Sequence, residues 1–275
     1  MTHNKYYRVL TIAGSDPGGG AGIQADLKTF AAHGCYGMAV ITALTAQNTV
    51  DITAIHEVPA AFIGKQIDAV LDDIGVDAVK IGMLNNTKAI SIIAERLIKR
   101  KIKNIVLDTV MISKSGTKLL NSNAVKTLVL KLFPIAEIVT PNIPEASILS
   151  GVTIKDINDM ENAGMAILVS GTKSVLIKGG HSNGTICADL LCIQGLNGKI
   201  EMHRFESKKI DTVNTHGTGC TISSAIAANL AKGFGIKEAV ENSKHYISEA
   251  IEAGAKYETG KGHGPVHHFY KMWGE

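Results

Sequence analysis

The segment RVLTIAGSDPGGGAGIQADLKTFAAHG, residues 8–34, decides the fold class. Its apolar run RVLTIAG ends in glycine, and a helical pattern follows, with Ile23, Leu27, Phe30 and Ala31 on one stripe and Gly34 placed to cap the C-terminus. Strand, glycine-rich turn and helix form the first half of a β-α-β unit. The rhythm then repeats: MAVITAL (38–44), DAVKIGM (77–83), NIVLDTV (104–110), AEIVTPN (136–142) and SVLIKGG (174–180) read as buried strands separated by helical segments. PAAFIGKQIDAVLDDIG (59–75) opens with proline and places Phe62, Ile63, Ile67, Val70 and Leu71 on one face. NTKAISIIAERLIKRK (86–101) ends in basic residues that suit a helix C-terminus. TICADLLCIQGLNGKIEMHRFES (185–207) alternates around a GLNG turn and predicts a hairpin. The expected fold is α/β, a mostly parallel sheet with helices on both faces and a small β-hairpin, as one domain over residues 1–275.

Composition narrows the function. The chain has 275 residues, 45% hydrophobic and 19% charged, and a net charge of +3, the balance of a soluble globular protein. Its longest basic run is KRK at 99–101, so neither nucleic acid nor a membrane surface is an expected partner. No stretch approaches a membrane span, and the N-terminal apolar run is too short for a signal peptide. Four cysteines, Cys35, Cys187, Cys192 and Cys220, form no CxxC pair or disulfide framework, which predicts a thiol-reduced cytoplasmic protein. The first three read as core thiols.

In open α/β sheets ligands bind beyond the carboxyl ends of the strands, and several strands here end in chemically active residues. GSDPGGGAG (14–22) feeds a helix N-terminus and suits an anion or a polar ring. It lacks the lysine of a GxxxxGK[ST] phosphate loop. GAGIQA matches GxGxxA, but TAQN, at the next strand end, lacks the acid that a dinucleotide ribose requires. Asp26, near the start of the following helix, reads as a first-turn acid. Gln47 offers an amide to the edge of a heterocycle. Asp108 follows a strand, and Asn142 with Glu145 fits two roles equally, a hydrated Mg²⁺ site and a helix capping box. Lys178 ends an apolar strand with its amine expected to be free for a phosphate.

NTHGTGCTISSAIAANLAKG (214–233) carries the remaining signal. Gly217 and Gly219 turn amide N–H groups inward at a helix start, which makes an anion hole. A thiol placed there, Cys220, is expected to have its pKa lowered from ~8.5 towards ~3.5–7.5. Two roles suit such a thiolate: taking a proton from a hydroxyl that attacks phosphorus, or attacking a carbonyl with His216 as activating base. The first also employs Asn142, Glu145 and Lys178.

These motifs, together with ITALTAQNT, KIGML, KGGH and GKGHGPVHHF, resemble in order the bacterial hydroxymethylpyrimidine/phosphomethylpyrimidine kinases, members of the ribokinase-like superfamily, from Val9 to Phe269. The resemblance implies ATP- and Mg²⁺-dependent phosphorylation of 4-amino-5-hydroxymethyl-2-methylpyrimidine to its monophosphate and then its diphosphate, for thiamine biosynthesis. It implies that Cys220 is the catalytic base and that Gly217 and Gly219 form the anion hole. Lys178, Thr218 and Asp108 become contacts to ATP and its phosphates, and Asn142 and Glu145, with Asp108 near, position Mg²⁺. Asp26 and Gln47 would line the pyrimidine pocket, with the loop at Gly14 closing over the ring. A homodimer is implied as well. A pyridoxine or pyridoxal kinase of the same lineage and a non-catalytic pyrimidine-binding protein are the competing functions. His267 and His268 lack a third ligand at sensible spacing and read as part of a structural C-terminal segment or a subunit contact.

Overall fold

A computed structural model describes residues 5–111, 120–180, 185–195 and 198–273. The elements run β1 (Arg8–Ser15), α1 (Gly22–Ala32), β2 (Tyr36–Gln47), β3 (Ile52–Glu57), α2 (Ala60–Asp73), β4 (Ala78–Ile81), α3 (Thr87–Lys99), β5 (Ile105–Leu107), α4 (Ser122–Leu132), β6 (Ile138–Val139), α5 (Ile143–Ser150), α6 (Ile157–Leu168), β7 (Ser174–Ile177), β8 (Ile186–Gln194), β9 (Ile200–Lys208), α7 (Thr218–Ala231) and α8 (Ile236–Gly254). The described strands form one sheet in the order β3-β2-β1-β4-β5-β6-β7-β8-β9. From β2 to β7 neighbouring strands are parallel; β3 at one edge and β8 and β9 at the other are antiparallel.

Strand alternation builds two cores. Leu10, Ile12, Val79, Ile81, Ile105 and Leu107 face α2, α3 and α4, whereas Val9, Ala78, Val106, Ile138 and Leu176 face α1, α7 and α8. On the second face the apolar stripe is interrupted by Thr11 and Lys80, which are register partners in β1 and β4 and are both fully buried. The chain passes from β1 to β2 and β3 on one side and then crosses to β4 on the other. That reversal opens a crevice beyond the carboxyl ends of β1 and β4.

Several details of the helices and strands differ from the sequence expectation. Ala31 is exposed on α1, while Asp26 joins Ile23 and Phe30 on the buried face. Asp26 is the fifth residue of α1, past the first turn, and serves no N-terminal charge role. Phe62 is 56% exposed because the buried stripe of α2 centres on Ile63 and Ile67, about 100° further round the helix. The proline of that segment, Pro59, is the N-cap. The edge strand β3 carries mostly exposed side chains and leaves no apolar run in the sequence. The predicted hairpin is β8–β9, although Leu196 and Asn197 of its GLNG turn lie outside the described residues.

Candidate active site

A cavity of about 860 Å³ fills the crevice. Its wall takes Gly14 from the end of β1, Gln47 from β2, Lys80 from β4, and Asp108, Asn142 and Lys178 from just past β5, β6 and β7. Gly217, Thr218, Gly219 and Cys220 close it from the start of α7. Residues from seven separate stretches of the sequence therefore share one cavity.

The α7 start is built by glycine. Gly217 is the N-cap at φ +77°, and it supplies no side-chain cap to the first-turn N–H groups. Backbone crowding requires the glycine as well, because a Cβ at Gly217 would fall 1.8 Å from the Gly20 carbonyl oxygen. The GTGC turn and the glycine-rich turn are thus packed backbone to backbone. Asp16 ties them together: it accepts from the N–H groups of Gly18, Gly20 and Ala21, and its Oδ2 lies 2.9 Å from His216 Nε2. Burial would raise the Asp16 carboxyl, but His216 and these N–H groups hold it below the ordinary value. Gln47 Nε2 reaches the same His216 nitrogen at 3.4 Å. His216 thus sits in a link between the two turns, a role the sequence did not suggest. Gly14 is part of β1 itself, beneath Met83, and is not the tip of a loop.

Buried Asp108 and half-buried Lys178 form an ion pair at 2.8 Å. Asp108 also accepts from Thr140 Oγ1 at 3.2 Å and Ser223 Oγ at 3.4 Å. Desolvation opposes its charge, but Lys178 and then Lys80 outweigh it and keep the carboxyl below its usual range. The Lys178 amine is therefore already partnered, where a free amine was expected. Burial opposes its charge too, but Asp108 and Glu145 raise it above the ordinary lysine value.

Asn142 and Glu145 complete a capping box on α5. Asn142 Oδ1 accepts from Glu145 N at 2.9 Å, and Glu145 Oε2 accepts from Asn142 N at 3.0 Å. Glu145 is further held by Thr109 Oγ1 and Met111 N. The capping role is present in full, and both side chains still line the cavity. Among the described residues no group of three or more His, Cys, Asp or Glu stands together to chelate a metal directly. The oxygen donors of Asp108, Asn142 and Glu145 suit a cation that keeps its own waters.

Cys220, the third residue of α7, was expected to be acidified by the helix start; burial instead pushes its thiol up to about 11. Lys80 and the Gly22 N–H pull it down, while Asp26 and Asp108 push it further up. Asp26 does not line the cavity: it is fully buried and bonded to Lys80, Thr11 and Ser224. Of the supposed core thiols, Cys35 and Cys192 are buried, but Cys187 is half-buried and lines the cavity. His268 is buried with Nε2 3.1 Å from Thr221 Oγ1, and desolvation lowers its pKa to about 4. His267 packs against Tyr257 and Trp273, so both histidines serve the C-terminal segment.

Comparison with known proteins settles the family, because the phosphomethylpyrimidine kinase profile matches residues 16–267. The chain belongs to the phosphomethylpyrimidine kinase family. A hydroxymethylpyrimidine/phosphomethylpyrimidine kinase of Rhizobium meliloti is 48% identical over 265 residues, 96% of this chain and 97% of that protein. A thiamine biosynthesis bifunctional protein of Geobacter sulfurreducens is also 48% identical, over 94% of this chain and 52% of its own length. Among solved structures, the ADP complex of Bacillus subtilis pyridoxal kinase superposes with a TM-score of 0.89 at 36% identity, covering 98% of this chain and all of that one (100%). The α/β sheet of this phosphomethylpyrimidine kinase family member is thus the ribokinase-like fold of those kinases. Its described helices include none long and apolar enough to cross a membrane.

Proposed function

We propose that this chain transfers the γ-phosphoryl of ATP to 4-amino-5-hydroxymethyl-2-methylpyrimidine and then to the resulting monophosphate, as a step of thiamine biosynthesis. The observation that carries the reading is the position of Cys220: it opens, from the first turn of α7, into the cavity that also holds the Lys178–Asp108 pair and Gln47. In the first transfer the substrate hydroxyl loses its proton to the Cys220 thiolate. Its oxygen bonds to the γ-phosphorus, and the bond to the β-γ bridging oxygen breaks with its electron pair leaving on ADP. The first-turn N–H groups of α7 and Lys178 meet the negative charge of the transferring group. In the second transfer the acceptor is already anionic, and no proton need be removed. Mg²⁺ would be held through its waters by Asp108, Asn142 and Glu145, where it would neutralise phosphate charge. Gln47, bonded to Thr45 and beside His216, lines the same cavity and would meet the ring of the acceptor.

The test is ADP release with Mg·ATP and three acceptors. Turnover of hydroxymethylpyrimidine and its monophosphate with little on pyridoxal is expected. The likeness to a pyridoxal kinase favours a second reading, which preference for pyridoxal with the monophosphate untouched would establish. Absence of ADP release with all three would leave a binding protein. A second measurement isolates Lys178. Because its amine serves the phosphates of ATP in both steps, Lys178→Ala should cut kcat/KM for both acceptors by about 10². Parent rates in that variant would reduce Lys178 to a partner of Asp108.

A further inference from the structure

Lys80 is a fully buried cation with no part in the proposed reaction. Lys80 lies on β4 in the run DAVKIGM, and its side chain is wholly excluded from solvent. An ammonium survives there only with a carboxylate at hand. Asp26 provides it, with both oxygens 2.9 Å from Nζ. That carboxylate is itself fixed by Thr11 Oγ1 and Ser224 Oγ, each at 2.6 Å. The clamp therefore joins β1, α1, β4 and α7 directly beneath the α7 start. Among the described residues Asp26 is the hydrogen-bond partner of the ammonium, which has three N–H groups. Of the two partners only Lys80 lines the cavity, alongside Cys220. Gly82 makes room for it, since a Cβ at that position would stand 2.8 Å from Nζ.

Ser224, which bonds the clamp's carboxylate, lies one helical turn after Cys220 on α7, and Lys80 shares the cavity with Cys220, so the clamp sits on the thiol's side of the helix. The thiol is faced by Lys80 from β4, Asp26 from α1, Asp108 past β5 and the Gly22 N–H, and Lys178 feels it from beyond β7. The two carboxylates oppose a thiolate. Of the groups that favour one, Lys80 acts most strongly. We propose that Lys80 is a positioning residue for the first phosphorylation, an ammonium clamped by Asp26 that stabilises the Cys220 thiolate while it serves as base. Lys80 transfers no proton and contacts no phosphate in this role. The inference rests on the reading of Cys220 as base, so its test reads the thiol apart from turnover.

The full chain and its variants Lys80→Arg, Lys80→Met and the neutral pair Asp26→Asn/Lys80→Met are alkylated with iodoacetamide between pH 6 and 9.5, and Cys220 is followed by peptide-resolved mass spectrometry. Lys80→Met should slow Cys220 alkylation about tenfold at each pH, equivalent to one pKa unit, with Cys187 in the same cavity unaffected. Lys80→Arg should stay near the parent. ADP release should fall in parallel for hydroxymethylpyrimidine and change little for its monophosphate. Should Lys80→Met fail to fold, the neutral pair decides by the same sign, because the pull of Lys80 on the thiol exceeds the push of Asp26. Cys220 alkylation within twofold of the parent across the range overturns the proposal. Alkylation that follows Lys80 while both acceptors lose rate equally overturns instead the assignment of Cys220 as base, and with it the part of Lys80 in catalysis.

Discussion

Cys220→Ala should lower turnover of hydroxymethylpyrimidine by about 10²–10⁴ while leaving turnover of its monophosphate close to the parent, because a positioned base contributes on that scale only where a proton must be removed. The pH profile gives the same prediction a second signature. Burial holds the Cys220 thiol up at about 11, so near neutrality the active thiolate is the minor form. Its fraction then grows about tenfold per pH unit below that value. With the alcohol acceptor, kcat/KM of the parent should climb with pH from about 7 to 9, and in Cys220→Ala the climb should vanish. With the monophosphate no such climb is expected in either protein, provided data are taken above the second phosphate ionisation near pH ~6. Cys220→Ser should not restore the alcohol rate, since a hydroxyl is harder still to ionise. The check is ADP release for both acceptors across that range. Equal losses on both, or a flat parent profile with the alcohol, would remove Cys220 from the role of base.

The disagreement over the Cys220 thiol shows where sequence reasoning stops. A cysteine two residues after Gly-Thr at a helix start is visible in HGTGC, and so is the expectation that the helix dipole acidifies it. What no spacing reveals is how far the folded chain desolvates the thiol, which outweighs the pull of Lys80 and the Gly22 N–H. Lys178 fails in the same way. Its place after SVLI is plain, but the carboxylate that partners it comes from a strand 70 residues earlier. The fold itself was legible because each central strand writes its own alternation or apolar run, and Val9 against Leu10 or Ala78 against Val79 sorts residues to opposite cores. The strand β3 was not legible, since an edge strand with solvent on its side chains has no apolar signature.

Asp26 and Lys80 make the complementary point. Each has an innocuous local explanation, a helix acid and a lysine in a short strand, and only the packing of α1 over the Thr11–Lys80 register of β1 and β4 puts them together. A signal did exist: a lysine in the middle of a strand predicted to be buried on both faces demands a carboxylate partner. His216 carried no comparable signal, because its partner Asp16 lies 200 residues away on another turn. The Asn142–Glu145 motif fits both readings at once. Its capping bonds are complete, and the same side chains line the cavity, so cap and ligand roles do not compete for the residues.

Gly217→Ala should destabilise the fold and abolish both phosphorylations, whereas Gly219→Ala should abolish activity without loss of stability. At Gly217 the backbone is left-handed, which costs an alanine roughly 1–2 kcal/mol before any contact is counted. The new Cβ would also stand 1.8 Å from the Gly20 carbonyl oxygen and 3.3 Å from Ala21 Cα, both main-chain atoms that no rotamer change can move. Asp16 holds those residues in place through their N–H groups, so the two turns must part. A loss of this size corresponds to a Tm lower by about 5 °C or more in a chain of this length. Moving the α7 start away from Lys178 should reduce both rates by more than about 10². Gly219 has no such constraint: its Cβ would meet Lys178 Nζ at 3.5 Å and Asp108 Oδ2 at 3.8 Å, ordinary contact distances. Within a helix alanine is preferred to glycine by about 1 kcal/mol, so the folded state should hold or gain. The methyl group would nevertheless occupy the space beside the Lys178 amine at the α7 start, where the proposed reaction puts the transferring phosphoryl. Thermal unfolding and ADP release on the two variants check the pair together. Parent Tm in Gly217→Ala would show that the turns are not locked against each other, and parent turnover in Gly219→Ala would show that the phosphoryl passes elsewhere.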